Sequence, residues 1–466
     1  MAMPSDPRAV LRSPDYVKLV VVAAVLGVPI AAGAWGFLWL IDESQEWLFA
    51  TLPDDLGFDG APTWWPLPLV ALAGLLVGAT IRYLPGGGGA SPADGFEAGG
   101  PPPRPVELPG IFLAALAGLA LGVVIGPEAP LIALGAGFAA GAARLANRTM
   151  PAPALAVVAG AGSFAAISAL LGSPLIAAFV LMEAAGVGGP MLGPVLVPGL
   201  VAAGIGSLVF VGLDSWTGLG TFSLTMPDLP AAGTPTLAEL GWAVAAGLAA
   251  APLGLGIRRL ALAMRPPVER RPLLLTPLAG LAVAALAVGF AEASGESSAL
   301  VLFSGQTALS PLLADSASLS VGSLLLLLAA KGLAYSASLA SFRGGPIFPA
   351  LFLGAAGGIT LARLPGLDPV AGAAIGMAAM SVVMLGLPLT SALLATLLLA
   401  ADGLDVMPLA IVAVAVAYVA AERLRPPAAE EPPPAAAGPS AATAPSAAAA
   451  PAGAAAQAGR PGPRRR

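Results

Sequence analysis

Apolar segments run through nearly all of this chain and constrain its fold more than any other feature. The first, residues 17–40, is long enough to cross a hydrocarbon core of about 30 Å, which needs about 20 helical residues. Only 10% of the residues are charged, whereas a soluble domain is about a quarter charged. We therefore predict an all-α polytopic membrane protein. Further apolar segments lie at 66–84, 109–124, 130–147, 152–171, 174–185, 190–213, 236–263, 272–291, 298–305, 319–340, 349–364, 368–385, 388–402 and 406–421.

Several of these segments are too short to span a membrane, and the chain contains 59 Gly and 48 Pro. Disorder often explains such a composition, but most of these residues lie within Leu/Ala/Val runs. Broken or tilted helices buried in protein explain them better, as in secondary transporters.

Cysteine and histidine are both absent from the sequence. Their absence excludes disulfides, thiolate or imidazole metal sites, Ser-His-Asp triads and haem held by His or Cys. The net charge of −5 gives no signature of nucleic-acid binding. We also expect that the protein is not an enzyme and that it binds no metal, no cofactor and no nucleic acid.

The charge distribution predicts an orientation. The stretch 257–272 holds five arginines against the single acid Glu269, and residues 1–16 also carry basic side chains, so both are expected to be cytoplasmic. Residues 42–59 hold six acids and no base, which fits an outside loop. Residues 1–15 are polar, and the apolar run that follows them is long enough to span the bilayer. We therefore predict an uncleaved first helix rather than a signal peptide. Residues 426–466 are Ala/Pro-rich and are expected to form a disordered cytoplasmic tail.

The chain contains an internal repeat. Residues 126–135 (GPEAPLIALG) match residues 345–354 (GPIFPALFLG) without gaps at an offset of 219. A second match pairs 172–175 with 386–389 at an offset of 214. Two matches in the same order at nearly the same offset indicate two homologous halves. The predicted units are a first half-repeat at 17–213, an extracytoplasmic linker at 214–233 and a second half-repeat at 234–425.

Each matching stretch is a Gly/Pro break followed by an apolar helix. Such a helix begins inside the membrane region with its first N–H groups unpaired, and it attracts anions. Two such ends, from Glu128 or Ala129 and from Ile347, could converge on one anion. A third candidate is the glycine run at 86–92, where Ser91 adds a hydroxyl donor. The alternative is that these residues only permit tight helix packing.

Glu128 is the most informative single residue. An acid within a membrane segment is expensive and usually functional. At the first turn of the proposed helix its carboxylate can occupy the anion's own position and leave it on protonation, so we predict a gate and a proton carrier. The alternative is a helix-terminal acid that binds its own N–H groups.

Three other polar residues lie in apolar surroundings. Two of them, Glu183 and Lys331, have two interpretations each, and Tyr418 has one. Glu183 is either a structural charge or a proton-path residue. Lys331 is either a snorkelling basic residue or a support for the serine-rich stretch 336–341. Tyr418 is interpreted as an interfacial aromatic.

The sequence resembles the CLC family of chloride channels and anion/proton exchangers. The anion-pathway signatures of that family are GSGIP, GREGP and GxFxP, in that order. Residues 126–130 (GPEAP) resemble the second, with Glu128 in register. Residues 345–349 (GPIFP) resemble the third, and residues 88–92 (GGASP) resemble the first loosely. The resemblance covers about 17–423 and implies an inverted two-half repeat, an anion path inside each subunit and a homodimer in the plasma membrane of a bacterium.

The resemblance also implies site residues. The implied gate is Glu128 and the implied proton-path residue is Glu183. The implied anion-binding residues are Gly89, Ser91, Gly126, Glu128, Ala129, Gly345, Ile347 and Phe348. The chain departs from the family at four points: the serine of the first signature falls on Gly89, Pro346 replaces a residue with an N–H group, the proton glutamate falls on Ala184, and the C-terminal tyrosine has no clear counterpart.

These observations predict transport of a small inorganic anion, chloride by default, gated by Glu128 and either uncoupled or exchanged for protons. A fluoride/proton exchanger is the first alternative. A non-transporting membrane assembly partner is the alternative from another class. An organic-solute carrier would need a roomier polar site than the few polar membrane residues provide.

Overall fold

In the computed structural model, the described residues are 7–96, 100–168, 170–171, 173–186, 192–223, 233–399 and 403–425. Within these ranges the fold is all-α, and eight helices are long and apolar enough to cross a membrane. The predicted tail at 426–466 lies outside them, as do residues 224–232 of the predicted linker. The helices are α1 (Pro7–Leu11), α2 (Pro14–Glu46), α3 (Leu52–Asp55), α4 (Pro66–Tyr83), α5 (Leu108–Ala120), α6 (Glu128–Ala146), α7 (Ala152–Ile167), α8 (Pro174–Ala184), α9 (Leu192–Thr217), α10 (Leu237–Arg270), α11 (Pro272–Ser294), α12 (Leu309–Ala314), α13 (Val321–Ser341), α14 (Ile347–Leu361), α15 (Pro369–Leu385), α16 (Pro388–Leu397) and α17 (Gly403–Leu424).

The helix packing confirms the two-half repeat. In the first half α2 packs against α7 and α9, and α6 packs against α7. In the second half α10 packs against α15 and α17, and α14 packs against α15. The two sets have the same order and the same partners, so α2, α6, α7 and α9 correspond to α10, α14, α15 and α17. Equivalent helices also contact each other across the halves, as α4 contacts α11 and α8 contacts α16.

Large apolar side chains on the long helices are exposed to the surroundings. Examples are Val25 of α2, Leu75 of α4, Leu208 of α9 and Leu248 of α10, each about half exposed or more. In water such a surface would be costly, but in a bilayer it faces acyl chains of equal polarity. The packing and these surfaces identify an integral membrane protein.

Glycines allow the equivalent helix pairs to approach closely. A Cβ atom on Gly358 of α14 would overlap the carbonyl of Gly372 in α15. In the first half, a Cβ atom on Gly162 of α7 would overlap the carbonyl of Gly135 in α6. Backbone contact of this kind is a usual source of helix association in membranes, and here it fixes both helices that follow the Gly/Pro breaks.

Gly358→Ala is expected to lower the stability of the folded protein by about 1–3 kcal/mol, the usual cost of overpacking. The obstructing atoms belong to the backbone of Gly372, so they move only if α15 moves. Thermal unfolding followed by size-exclusion chromatography measures the change. Gly357→Ala is the matched control, because its Cβ atom would meet only Leu328 Cδ2 at 3.9 Å. Equal melting temperatures for the two variants would contradict the assigned role of the helix contact.

Candidate functional site

The two Gly/Pro breaks meet each other in the buried interior of the fold. The N–H group of Gly126 donates to the carbonyl of Gly345 at 2.8 Å, and the N–H group of Gly345 donates to the carbonyl of Gly126 at 2.6 Å. These two residues are equivalent at the offset of 219. A reciprocal bond between equivalent residues lies on the axis that relates the two halves, so the first residues of α6 and α14 are brought together.

Glu128 is the first residue of α6, and its side chain is fully buried. Its Oε1 atom accepts a hydrogen bond from the N–H group of Ile347, the first residue of α14. The N–H groups of Glu128 itself and of Phe348 also lie near the carboxylate. Oε2 has no hydrogen-bond partner within the described residues. The acid of one half thus occupies the free helix N-terminus of the other half.

Both breaks need glycine at this point because the carboxylate lies directly on their backbone. A Cβ atom on Gly126 would overlap Oε2 of Glu128, and a Cβ atom on Gly345 would overlap its Cδ atom. Pro127 and Pro346 are the N-cap residues of the two helices and carry no N–H group. The donors of each end therefore begin at the first helical residue.

Chemically, this arrangement presents an anionic group to backbone donors in a water-poor interior. A carboxylate there stands in for a small anion, because both bind N–H groups at the positive end of a helix dipole. Within the described part of the chain, no group of three or more acidic residues could hold a metal ion. Ala129, predicted as part of the site, is the second residue of α6 and is partly buried.

One face of α13 organises the surrounding backbone. Lys331, Tyr335 and Ser338 follow one another at helical spacing of four and three residues and are fully buried. The Tyr335 hydroxyl donates to the carbonyl of Pro346 at 2.7 Å, and the Ser338 hydroxyl accepts from the N–H group of Val124 at 3.3 Å. Tyr335 and the role of Ser338 were not predicted from the sequence. The polar stripe along an otherwise apolar helix was the signal that could have found them.

The interpretation of Lys331 as a snorkelling residue is wrong, because its side chain is fully buried, and its hydrogen bonds go to another loop rather than to the serine-rich stretch. Its Nζ atom donates to the carbonyls of Leu300, Val301 and Leu302 at 2.9, 3.2 and 3.0 Å. It also lies 4.3 Å from the centre of the Phe352 ring, in a cation–π contact. The ammonium is buried because a loop between α11 and α12 turns its carbonyls toward it.

The glycine run does not begin a long helix, so the third predicted helix end is wrong. Gly86, Gly87 and Gly89 have φ values of 76°, 57° and 100°, in the left-handed region. Within the described residues, the single 3-10 turn Pro92–Asp94 is the only element between this run and α5. Ser91 precedes that turn, and its buried hydroxyl has no hydrogen-bond partner within the described residues.

A polar cavity of about 230 Å³ reaches the first break. Its lining includes Pro127, Asp42, Gln45, Ser304 and Thr307. Asp42 belongs to the acidic stretch that is predicted to face outward. Since Pro127 immediately precedes Glu128, this cavity leads from the predicted outer side to the residue beside the carboxylate.

Glu183 lies elsewhere, at the end of α8. Its two carboxylate oxygens accept hydrogen bonds from the N–H groups of Leu389 at 3.0 Å and Thr390 at 2.8 Å. It therefore caps α16 of the other half. A cavity of about 600 Å³ is lined by Glu183, Thr396 and Tyr418 and by apolar side chains, and none of the break residues lines it. Tyr418 is half-buried there, between α16 and α17.

Known proteins share both the sequence pattern and the fold. The family model described as the voltage gated chloride channel matches residues 70–422. YfeO proteins of Salmonella newport and Salmonella typhimurium, whose names describe them as ion-transport proteins, are 34% identical over 131 residues. That stretch is 27% of this chain and 32% of each relative, so the match spans about a third of their length.

Solved structures resemble the whole membrane region. A slow cyanobacterial Cl−/H+ antiporter has a TM-score of 0.71 at 19% identity, covering 87% of this chain and 95% of its own. A CLC-type fluoride/proton antiporter has a TM-score of 0.63 at 20% identity, covering 87% and 96%. A eukaryotic CLC transporter has a TM-score of 0.64 at 16% identity, covering 88% and 72%. These likenesses confirm the predicted inverted-repeat fold.

Proposed function

Since the chain belongs to the voltage-gated chloride channel family, we propose that it moves a small inorganic anion across a bacterial plasma membrane, with chloride as the first candidate. The observation that carries this proposal is the position of Glu128. A carboxylate held against the N–H group of Ile347, where two helix N-termini meet, marks a place that binds negative charge.

In this mechanism the Glu128 carboxylate closes the path by occupying the anion's position. When it is protonated, it loses most of its attraction to the N–H groups of Ile347 and Phe348 and to the helix dipole. The side chain then leaves, and the anion takes the vacated donors. The polar cavity at Pro127 supplies a route for anions and protons from the predicted outer side.

Proton exchange is part of the proposal because the gate itself is an acid. Each release of the carboxylate takes up one proton and each return gives one up. If the proton is returned on the opposite side from its uptake, anion movement is coupled to proton movement. If it returns to the same side, the protein is a channel opened by protons.

Efflux from liposomes containing the purified full chain tests the proposal. Chloride, nitrate and fluoride are compared, with a pH probe inside the vesicles. Chloride efflux is the expected result, and proton movement driven by a chloride gradient identifies exchange. Fluoride efflux without chloride efflux would assign the protein to fluoride export. No efflux of any of the three anions would reject transport and favour a membrane assembly partner.

We also propose that the protein is a homodimer with one anion path in each subunit, as the resemblance to the family implies. The mass of the purified protein in detergent, corrected for bound detergent, measures the number of chains. A monomer that still transports anions would overturn the dimer and leave the path intact.

Glu183→Gln is expected to leave the anion path open and to change the number of protons exchanged per anion. Glu183 lies away from the breaks, so anion efflux needs no contact with it, whereas a glutamine cannot carry a proton. Parallel recordings of chloride and proton fluxes in liposomes give the ratio. An unchanged ratio together with a lower melting temperature would identify Glu183 only as the cap of α16, since glutamine keeps one acceptor for two N–H groups.

A further inference from the structure

Helices α4 and α11 pack closely as an antiparallel pair. A Cβ atom on Gly280 would lie 2.3 Å from the carbonyl oxygen of Val70, and one on Gly78 would lie 2.6 Å from that of Pro272. These contacts pair the end of α4 with the start of α11. Arg82, in the last turn of α4, comes four residues after Gly78 and lies about 6 Å farther along the helix axis. The last turn of α4 thus extends just past the first residue of α11.

Three arginines lie at this end of the helix pair. Arg82 belongs to α4, Arg270 is the last residue of α10, and Arg271 connects α10 to α11. All three residues are exposed, and within the described part of the chain none of them forms an ion pair. The neighbouring acid Glu269 is already paired with Arg265. The three arginines are therefore available to a ligand from outside the chain.

The charge at this end of the pair is positive. Glu107 approaches the loop after α4, since a Cβ atom on Gly86 would lie 2.8 Å from its Cγ atom. Its carboxylate is bound by the Nε and Nη2 atoms of Arg104 at 2.9 and 2.7 Å. The dipoles of α4 and α11 point in opposite directions and largely offset each other here. The positive charge therefore comes from the three arginines, and it favours an anionic ligand.

An apolar surface leads up to these arginines on both helices. On α4, Leu75 and Leu76 are exposed. Arg82 and Tyr83 follow them by seven residues, or two helical turns, so they lie on the same face. The exposed leucines of α11 are Leu273, Leu274, Leu278 and Leu281. Since Arg271 immediately precedes α11, a lipid whose acyl chains lie along this surface would have its phosphate beside the arginines.

Tyr83 marks the level of the lipid headgroups at this end. Tyr83 is exposed, and the guanidinium carbon of Arg82 lies 5.6 Å from the centre of its ring. Tyrosine is enriched where a membrane meets water, because its ring is apolar and its hydroxyl is polar. The arginine-rich stretch 257–272 ends here and is predicted to face the cytoplasm. The leaflet at this end is then the cytoplasmic one, whose surface carries anionic lipids.

We propose that an anionic phospholipid of the cytoplasmic leaflet binds at this end of α4 and α11, with its phosphate among Arg82, Arg270 and Arg271. Guanidinium groups match phosphate oxygens through paired N–H donors. A zwitterionic lipid gains less, because Glu107 and Glu269 are both paired and offer no free carboxylate to its ammonium group. The bound lipid links the ends of α4, α10 and α11, so it stabilises the folded protein.

Thermal stability of the purified full chain in mixed micelles tests this site. Dioleoylphosphatidylglycerol, dioleoylphosphatidylcholine or inorganic phosphate is added, and the melting temperature is recorded against its concentration. A ligand that binds only the folded protein raises its stability as its concentration exceeds the Kd. For native protein, phosphatidylglycerol is expected to raise the melting temperature more than either of the other two. Arg82→Gln/Arg271→Gln should need roughly tenfold to thirtyfold more phosphatidylglycerol for the same rise, from a fivefold loss at each arginine.

Arg12→Gln/Arg423→Gln is the matched control, because it removes the same charge from exposed residues at the ends of other helices. Arg12 lies between α1 and α2, and Arg423 is in the last turn of α17. This variant should respond to phosphatidylglycerol as native protein does. All four substituted residues are exposed, so both variants are expected to fold. If Arg82→Gln/Arg271→Gln does not fold, Arg82→Gln alone decides, with a loss of about fivefold.

Three results would reject the lipid site. An unchanged response to phosphatidylglycerol in Arg82→Gln/Arg271→Gln would show that the arginines only orient the chain in the membrane. An equal loss in the control variant would assign the effect to net charge. An equal rise with phosphatidylcholine would show that the acyl chains alone are bound, and an equal rise with inorganic phosphate would show a site for a soluble anion.

This inference goes beyond the proposed function and can fail separately from it. The melting experiment needs no anion movement, so a response to phosphatidylglycerol that depends on Arg82 and Arg271 would keep the lipid site even if no anion efflux were found. Efflux of chloride from protein whose stability is unchanged by phosphatidylglycerol would reject the lipid site and keep transport.

Discussion

Glu128→Gln is expected to give anion flux that is nearly independent of pH, whereas flux through the native protein should rise as external pH falls. Glutamine is neutral and nearly isosteric with a protonated glutamate, so it competes poorly for the N–H group of Ile347. A hydrogen bond to a charged group contributes roughly 1.5–3 kcal/mol. The variant should therefore exceed native flux at alkaline pH by roughly tenfold to a hundredfold.

Chloride efflux from liposomes, measured between acid and alkaline external pH, gives both profiles. Proton movement should be uncoupled from anion movement in Glu128→Gln. Glu422→Gln is a suitable control, since Glu422 is a partly exposed acid that pairs with Arg425 at the end of α17. Identical pH profiles for native protein and Glu128→Gln would make Glu128 an ordinary helix-end residue.

Lys331→Met is expected to destabilise the fold by about 3 kcal/mol or more. The variant fills a similar volume but removes the ammonium from the carbonyls of Leu300, Val301, Leu302 and Phe303. Each buried polar group left without a partner costs about 1–3 kcal/mol. This cost outweighs the gain from no longer burying a charge, because several carbonyls lose the one ammonium group that they share.

Thermal unfolding and the fraction of protein that elutes as a single species measure this effect. The control is Lys18→Met, which removes an exposed lysine paired with Asp15 and should leave the melting temperature unchanged. A melting temperature of Lys331→Met close to the native value would show that the loop does not depend on the ammonium.

The repeat could be predicted from the sequence because the two breaks keep their spacing and residue types. The matches at offset 219 placed helix starts near Glu128 and Ile347, where α6 and α14 begin. These helix starts could be predicted because of proline. Proline disrupts the interior of a helix but is well accepted where a new helix begins. The start of a helix depends on residues that are close together in the sequence, so it can be predicted from the sequence.

The partners of buried polar groups could not be predicted in the same way. The apolar segment 298–305 gave no sign that its backbone forms only the 3-10 turn Ser298–Leu300 and then points carbonyls at Lys331. Arg343, in the segment between α13 and α14, is buried, and no feature of the neighbouring sequence predicts this burial. Contacts between residues far apart in the chain follow from the packing of helices, and a single sequence does not show that packing.

The domain boundaries remain predictions, although α9 ends at Thr217 and α10 begins at Leu237, on either side of the predicted linker. The anion-binding residues also remain predictions. The structure brings Gly126, Glu128, Gly345, Ile347 and Phe348 together at the breaks, and it places Gly89 and Ser91 on the separate glycine loop.

The central claim is that the Glu128 carboxylate and a small anion compete for the same backbone donors. Anomalous diffraction from crystals of Glu128→Gln grown in bromide tests this most directly, because bromide is an anion that can be located by its own signal. We expect a bromide peak at hydrogen-bond distance from the N–H groups of Ile347 and Phe348, and a weaker peak or none there in native crystals at alkaline pH. Two results would contradict competition between the carboxylate and the anion. One is the absence of bromide at these N–H groups in Glu128→Gln, and the other is bromide peaks of equal height in both proteins.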